Sequence, residues 1–298
     1  MKLVKKRGSN RPARGCSLFS GLFEEDLRQI VEKVSIPRHF VSERQSNQLV
    51  GKWIEDEFQR MGYQTFLNGE AENIVASFSC SPKQWRVLLG AHYDSVPGSP
   101  GADDNGSAIA ALLSTAKALA SLSNPGIVFV AFNREEENLR GSTEFVKSIA
   151  PYGHSIELAH ILEMVGFSSS ENDSQECPRS LPINLGSVGD FIAIVSNQDS
   201  NHYVQSILDL SSQFVPRLSV YGLLVPSGIE VKIPTLLRSD HAPFWRGRIP
   251  AVMWTDTAEF RNQNYHKKSD LPETLNYSFL MSVTQLLIVH ISSFFQRG

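Results

Sequence analysis

Residues Gly90–Ser107 read GAHYDSVPGSPGADDNGS. An apolar run, Val87-Leu88-Leu89, leads into them, and a small-residue stretch predicting a helix, Ala108 to Ala120, leads away. One His and several Asp are thus held on a loop rich in Gly and Pro, at the end of a predicted strand. Hard, charged ligands between two rigid elements are how a chain builds a metal site.

Outward from this loop, strands and helices alternate. Upstream, Phe23 to Val34 and roughly Arg44 to Met61 carry apolar residues at helical spacing, and Gly62 stops the second helix. Tyr63–Leu67, Asn73–Phe78 and Trp85–Gly90 predict strands. Downstream, the helix continues to Ser121. Ile127–Phe132 is a continuous apolar strand of the kind buried on both faces. Ser142–Ile149 predicts a short helix and His160–Met164 the next strand. Ser168–Ser187 is polar and contains Pro, which predicts a loop. Phe191–Val195 fits either a strand or the approach to a helix over His202–Phe214. Ser219–Leu224 and Ala251–Thr255 predict further strands, and a long helix starts after Pro272. The alternation predicts an α/β fold, a three-layer α/β/α sandwich around a mixed, mostly parallel sheet.

The 298 residues show no internal repeat and no linker long enough to separate domains. They predict a flexible tail over residues 1–20 and one domain over residues 21–298. Apolar content of 41% and charged content of 20% are those of a globular protein. A net charge of −3 gives no reason to expect nucleic acid or an anionic membrane as partner. The basic start MKLVKKRGSNRPARG lacks the apolar segment of a signal peptide, and no apolar run is long enough to span a bilayer. Cys16, Cys80 and Cys177 are scattered, which argues against a thiolate zinc site or a disulfide framework. Free thiols in a reducing, cytoplasmic compartment are the simpler reading.

Ionisable residues gather at the predicted strand ends, where open α/β sheets place their ligand sites. The groups are His92, Asp94, Asp103 and Asp104; Glu135-Glu136-Glu137; Glu163; Ser239-Asp240-His241; and Tyr265-His266. Glu163 lies inside an apolar run, where a carboxylate costs several kcal/mol unless paired or bound to metal. Taken alone, a salt bridge would explain Glu163 as well as a metal would. Three Glu in a row would ordinarily be a solvated acidic turn.

The pieces HYD (His92–Asp94), GADDNGS (Gly101–Ser107), EEENLRGS (Glu135–Ser142), LEMVG (Leu162–Gly166), RSDHAPF (Arg238–Phe244) and NYHKKSD (Asn264–Asp270) stand in series. In that order they resemble the di-zinc aminopeptidases of peptidase clan MH, whose relatives include the glutaminyl cyclases. The resemblance covers roughly Asn73 to the C-terminus. It implies the zinc-exopeptidase fold and hydrolysis of the bond after a free N-terminal residue of a peptide or aminoacyl substrate.

It also implies roles. His92 and Glu163 would bind one zinc, Glu136 and His266 the other, and Asp104 both, leaving room for a bridging water or hydroxide. Mn²⁺ or Co²⁺ would be substitutes. Glu135 would be the general base and Asp94 the carboxylate behind the His92 imidazole. Asp103 would be a bystander. His241 or Tyr265 would supply the oxyanion donor, with a loop-bound histidine an equal reading for His241. Asp240 is read as holding local backbone, and Asp270 as helix-start or loop chemistry close to Pro272. Asn138 stands where the family usually has Gly, in a turn expected to need φ > 0. Two other readings remain: a one-zinc glutaminyl cyclase, and a non-catalytic domain of the same fold.

Overall fold

The computed structural model describes residues 1–295. Among them are nine strands: β1 (Lys2–Lys6), β2 (Gln64–Asn68), β3 (Asn73–Ser77), β4 (Val87–His92), β5 (Ile127–Phe132), β6 (Leu158–Glu163), β7 (Phe191–Ser196), β8 (Ser219–Leu224) and β9 (Ala251–Thr255). Seven helices accompany them: α1 (Glu24–Val34), α2 (Arg44–Arg60), α3 (Ala108–Leu119), α4 (Arg140–Ile149), α5 (Tyr203–Phe214), α6 (His241–Arg246) and α7 (Tyr277–Ser293). The strands form one sheet in the order β1-β8-β7-β9-β6-β4-β5-β3-β2.

The centre of that sheet, β9-β6-β4-β5, is parallel throughout. Antiparallel pairs flank it, with one further parallel pair, β7 with β8. Strands β4 and β5 are buried at every residue, as a parallel sheet covered on both faces requires. Val87, Leu89 and Ala91 of β4 face the layer containing α1, α2, α3, α5 and α7, while Leu88 faces α4 and α6. Gly90 sits between them because a Cβ there would lie 2.5 Å from the Phe132 ring. The α/β/α expectation therefore holds, with a mixed sheet whose parallel part is central.

The expected free tail is a correction. Lys2–Lys6 pairs antiparallel with β8 and closes that edge of the sheet. Leu3 and Val4 pack inward, and Lys5 lies over the Tyr221 ring at 4.7 Å. The Lys6 ammonium donates to the carbonyls of Pro216 and Leu218, both at 2.7 Å, beyond the end of α5. Its charge sits on the carbonyls that follow α5 rather than waving in solvent, and burial draws its pKa down to about 8. The ambiguous Phe191–Val195 is strand. No described helix is long and apolar enough to cross a membrane.

Candidate metal centre

The carboxyl ends of three neighbouring parallel strands carry the site. His92 ends β4, Glu163 ends β6, and Glu135 and Glu136 follow β5 by a short turn. Asp104 comes from the loop joining β4 to α3, and His266 from the loop after β9. Two triads result: His92, Glu135 and Glu163; and Asp104, Glu136 and His266.

Asp104 lies between the two histidines. Its Oδ1 is 3.4 Å from His92 Nε2, and its Oδ2 is 3.2 Å from His266 Nε2. His92 Nε2 is also 3.5 Å from Glu163 Oε2, and His266 Nε2 is 3.5 Å from Glu136 Oε2. Ligand atoms about 2.0 Å from a tetrahedral zinc stand about 3.3 Å from one another. The donor spacing therefore fits the ion. So does the chemistry left over: buried His92 Nε2 and Glu136 Oε1 have no hydrogen-bond partner. An ion at this donor spacing would satisfy both atoms.

The loops are held by side chains that donate to or accept from backbone. Asp94 Oδ1 accepts the N–H of Glu135 at 3.1 Å, and its Oδ2 accepts that of Glu136 at 3.2 Å. The His92 Nδ1–H points to the Asp94 carbonyl at 3.2 Å, with the Asp94 carboxylate at 3.5 Å. That bond fixes the tautomer and leaves Nε2 facing the cluster. The Asp94 carboxylate stands on the Nδ1 side of the imidazole, where it was expected, and it also holds the Glu135-Glu136 backbone.

Asp270 carries more than the local chemistry expected of it. Its carboxylate accepts the N–H groups of Asp103 at 2.9 Å and Asp104 at 3.1 Å. Asp103 turns away from the cluster, as expected of a bystander. Its Oδ1 accepts from the Gly166 N–H and its Oδ2 from Asn262. Asn105 spans the end of β6, donating to Leu162 O and accepting from the Met164 N–H on either side of Glu163. The Ser239 hydroxyl donates to Glu163 Oε2 at 2.6 Å. Asn138 and Leu139 adopt φ of +63° and +57°, so the Asn reading holds.

Burial raises the Glu135 carboxyl well above its ordinary range; Glu163, Glu136 and Asp240 add to this, and His92 opposes it. Burial, then Asp104, does the same to Glu136. Burial also opposes ionisation of Asp104, but the facing His266 and His92 rings hold it below the usual carboxylate range. Burial works against a charge on His92, yet Glu135, Glu163, Asp104 and Asp94 together raise its pKa. So many facing carboxylates want cations.

His241 is a correction. It begins α6, fully buried, with its Nε2 donating to Leu236 O at 2.8 Å and its ring edge-on to Trp245. It does not line the cavity above the cluster. Burial draws its pKa down to about 4. Asp240 is buried too, with its carboxyl raised by burial to about 7, and makes no hydrogen bond to backbone. Tyr265 does line the cavity. Its ring stacks on His266 at 3.7 Å, and its hydroxyl accepts from Arg238 at 3.2 Å, which leaves the hydroxyl proton free to donate.

The acidic cavity measures about 420 Å³. A second, apolar cavity of about 110 Å³ adjoins it, and the two share Glu163, Arg238 and Tyr265. Leu3, Leu185, Val195, Leu223, Met253 and Phe260 are among its walls.

Comparison with known proteins gives the site its relatives. Residues 73–291 match Peptidase family M28. The uncharacterized protein YfbL of Escherichia coli is 36% identical over 235 residues, covering 74% of this chain and 70% of that protein. Aminopeptidase YwaD of Bacillus subtilis is 39% identical over 35% of this chain, and leucine aminopeptidase 2 of Trichophyton rubrum 25% identical over 77%. The matches span only 24% and 46% of those two enzymes. Among solved structures, the aminopeptidase of Aneurinibacillus sp. strain AM-1 superposes with a TM-score of 0.69 at 14% identity, covering 93% of this chain and 95% of that one. The glutaminyl cyclase of Porphyromonas gingivalis gives 0.63 at 18%, covering 93% and 99%. These two share the fold. By sequence, fold and the order of its ligand-type residues along the chain, this protein belongs to peptidase family M28.

Proposed function

We propose that the chain is a zinc-dependent aminopeptidase that releases an apolar residue from the free N-terminus of a peptide. The observation that carries the reading is Asp104, whose two oxygens face two separate His-carboxylate sets at ligand spacing. His92, Glu163 and Asp104 would hold one zinc, and His266, Glu136 and Asp104 the other. Mn²⁺ and Co²⁺ suit the same donors. Zinc at these positions would polarise the scissile carbonyl and lower the pKa of a water, the chemistry amide hydrolysis needs.

The chain's own groups supply the rest. Glu135 takes a proton from the attacking water and returns it to the leaving amine nitrogen. Its raised pKa suits a group that must first accept a proton and then give it up, and burial is the main cause. The Tyr265 hydroxyl donates to the oxyanion, in place of His241, which lies too deep. The apolar cavity beside Glu163 and Tyr265 receives the N-terminal side chain.

The test uses leucyl and alanyl arylamides beside their N-acetylated forms, with zinc or with chelator. Release of free leucine, blocked by acetylation and by chelation, is the expected result. The cyclase reading needs one zinc, whereas two donor sets are present. An N-terminal glutaminyl peptide separates the two: ammonia release with cyclisation would support a cyclase and sink the peptidase reading.

A further inference from the structure

Arg38 stands outside the residues matched by the family and is buried completely. Its guanidinium makes no ion pair among the described residues; every hydrogen bond it donates ends on a carbonyl. Nε donates to Tyr93 O at 2.6 Å, Nη2 to Gly101 O at 2.9 Å, and Nη1 to Pro100 O and to Ile36 O. Tyr93 directly follows the ligand His92, and Gly101 stands three residues before the ligand Asp104. One planar, five-donor group therefore ties together both ends of the loop that separates these two ligands.

The fit around it is close. Gly101 adopts φ +59°, and a Cβ on it would stand 2.2 Å from Asp104 O and 3.1 Å from Arg38 Nη1. The Arg38 N–H donates to Ser95 Oγ, whose own hydroxyl donates to Ser99 O across the same loop. The Arg38 carbonyl accepts from Asn47, which pairs with Asn133 through both side-chain amides. Asn133 leads directly into Arg134 and Glu135. A buried cation without a counter-ion is expensive, and four carboxylates, Asp104, Asp270, Asp94 and Glu136, are the charges that favour it.

We propose that Arg38 is a positioning residue. It sets the separation of the His92 and Asp104 loops and places a fixed positive charge behind the ligand carboxylates. The proposal rests on the reading of the cluster as a divalent-metal site. A neutral side chain of similar length would keep the packing but lose the shared donor, so the two loops would settle independently. The consequence falls on metal affinity and ligand geometry more than on the fold.

The test compares wild type with Arg38→Met and Arg38→Lys. Zinc affinity is read by competition with a chromophoric chelator, ligand geometry by the visible absorption of cobalt-loaded protein, and the fold by melting of the metal-free protein. Arg38→Met should bind zinc about tenfold to a hundredfold more weakly and show an altered cobalt spectrum, and Arg38→Lys should recover part of both. A lower melting temperature with zinc affinity and cobalt spectrum unchanged would overturn the proposal, leaving Arg38 a structural residue only. If Arg38→Met does not fold, Arg38→Lys carries the test, and wild-type zinc affinity and spectrum in it would overturn the proposal. Wild-type protein that takes up no zinc would overturn the metal-site reading itself, and this inference with it.

Discussion

Asp94 holds Glu135 by its backbone: Oδ1 accepts the Glu135 N–H at 3.1 Å, while the other oxygen holds the next residue, Glu136, in the same way. One anion thus sets both the proposed base and a proposed ligand. Each bond to a charged acceptor is worth about 1.5–3 kcal/mol. Asp94→Asn keeps one acceptor and turns an NH₂ toward the other N–H. We expect kcat to fall about tenfold to a hundredfold with KM little changed. A variant that changed only KM would contradict this positioning.

Glu135 and Glu136 are adjacent and do different work in this reading. Glu135→Gln should retain zinc and lose hydrolysis by about 10²–10⁴-fold. Glu136→Ala should lose zinc from the His266 side. Metal analysis beside arylamide kinetics reads both, and near-wild-type turnover by Glu135→Gln would remove it as the base.

Asp103 and Asp104 are neighbours with opposite environments. Asp104→Asn should abolish metal-dependent activity. Asp103 faces Gly166, Asn262 and the buried Asp256 instead. Asn at 103 still offers an acceptor and adds a donor toward Asp256, so activity should stay within about tenfold of wild type. Equal losses in the two variants would mean that Asp103 is a ligand after all.

Zinc should raise the melting temperature of metal-free protein, because the ion binds only the folded cluster. At a hundred times Kd the gain is about 2.7 kcal/mol per site. Metal analysis should approach two ions per chain. A stoichiometry that saturates at one, with Asp104→Asn unaffected, would dismiss the shared ligand.

A buried relay outside the cluster, beginning at His160 in β6, makes a pH prediction. Trp254 Nε1–H donates to His160 Nδ1, so His160 donates from Nε2 to His290 Nδ1, and His290 donates to Ser206. Both rings are held neutral: burial, then His290, pushes His160 well below its ordinary pKa, and burial takes His290 to about 3. The unfolded chain protonates both near pH 6.5. Their contribution to stability is therefore complete above pH 6.5 and falls as pH drops toward 3, by about 1.4 kcal/mol per pH unit for each ring. His290→Gln can accept from His160 and donate to Ser206 without titrating. Its urea stability should fall less steeply than wild type between pH 6.5 and 5; parallel curves would refute the account.

Much of this was legible in the sequence because ligands at the ends of buried strands break an apolar pattern. Glu163 closes the run Leu158–Glu163, and His92 closes Val87–His92, so each announces itself against its neighbours. What was not legible lies across the fold. Nothing near His241 tells that its ring turns into α6 rather than toward Glu163. Arg38 sits in an unpatterned turn, and three of the four carbonyls its guanidinium reaches are 55 to 63 residues away. Asp270 reads as loop chemistry until its partners, more than 160 residues earlier, are known. The N-terminal lysines read as a tail because charge hides an edge strand, where lysine is at home.

Leu3 of that edge strand is a wall of the apolar cavity, while most of Arg7–Gly15 is exposed. A single proteolytic cut in this connection would leave the metal ligands covalently untouched, with Leu3 then held to the cavity only by the pairing of β1 with β8. If that cavity receives the substrate side chain as proposed, the leading segment takes part in substrate choice without carrying a single metal ligand.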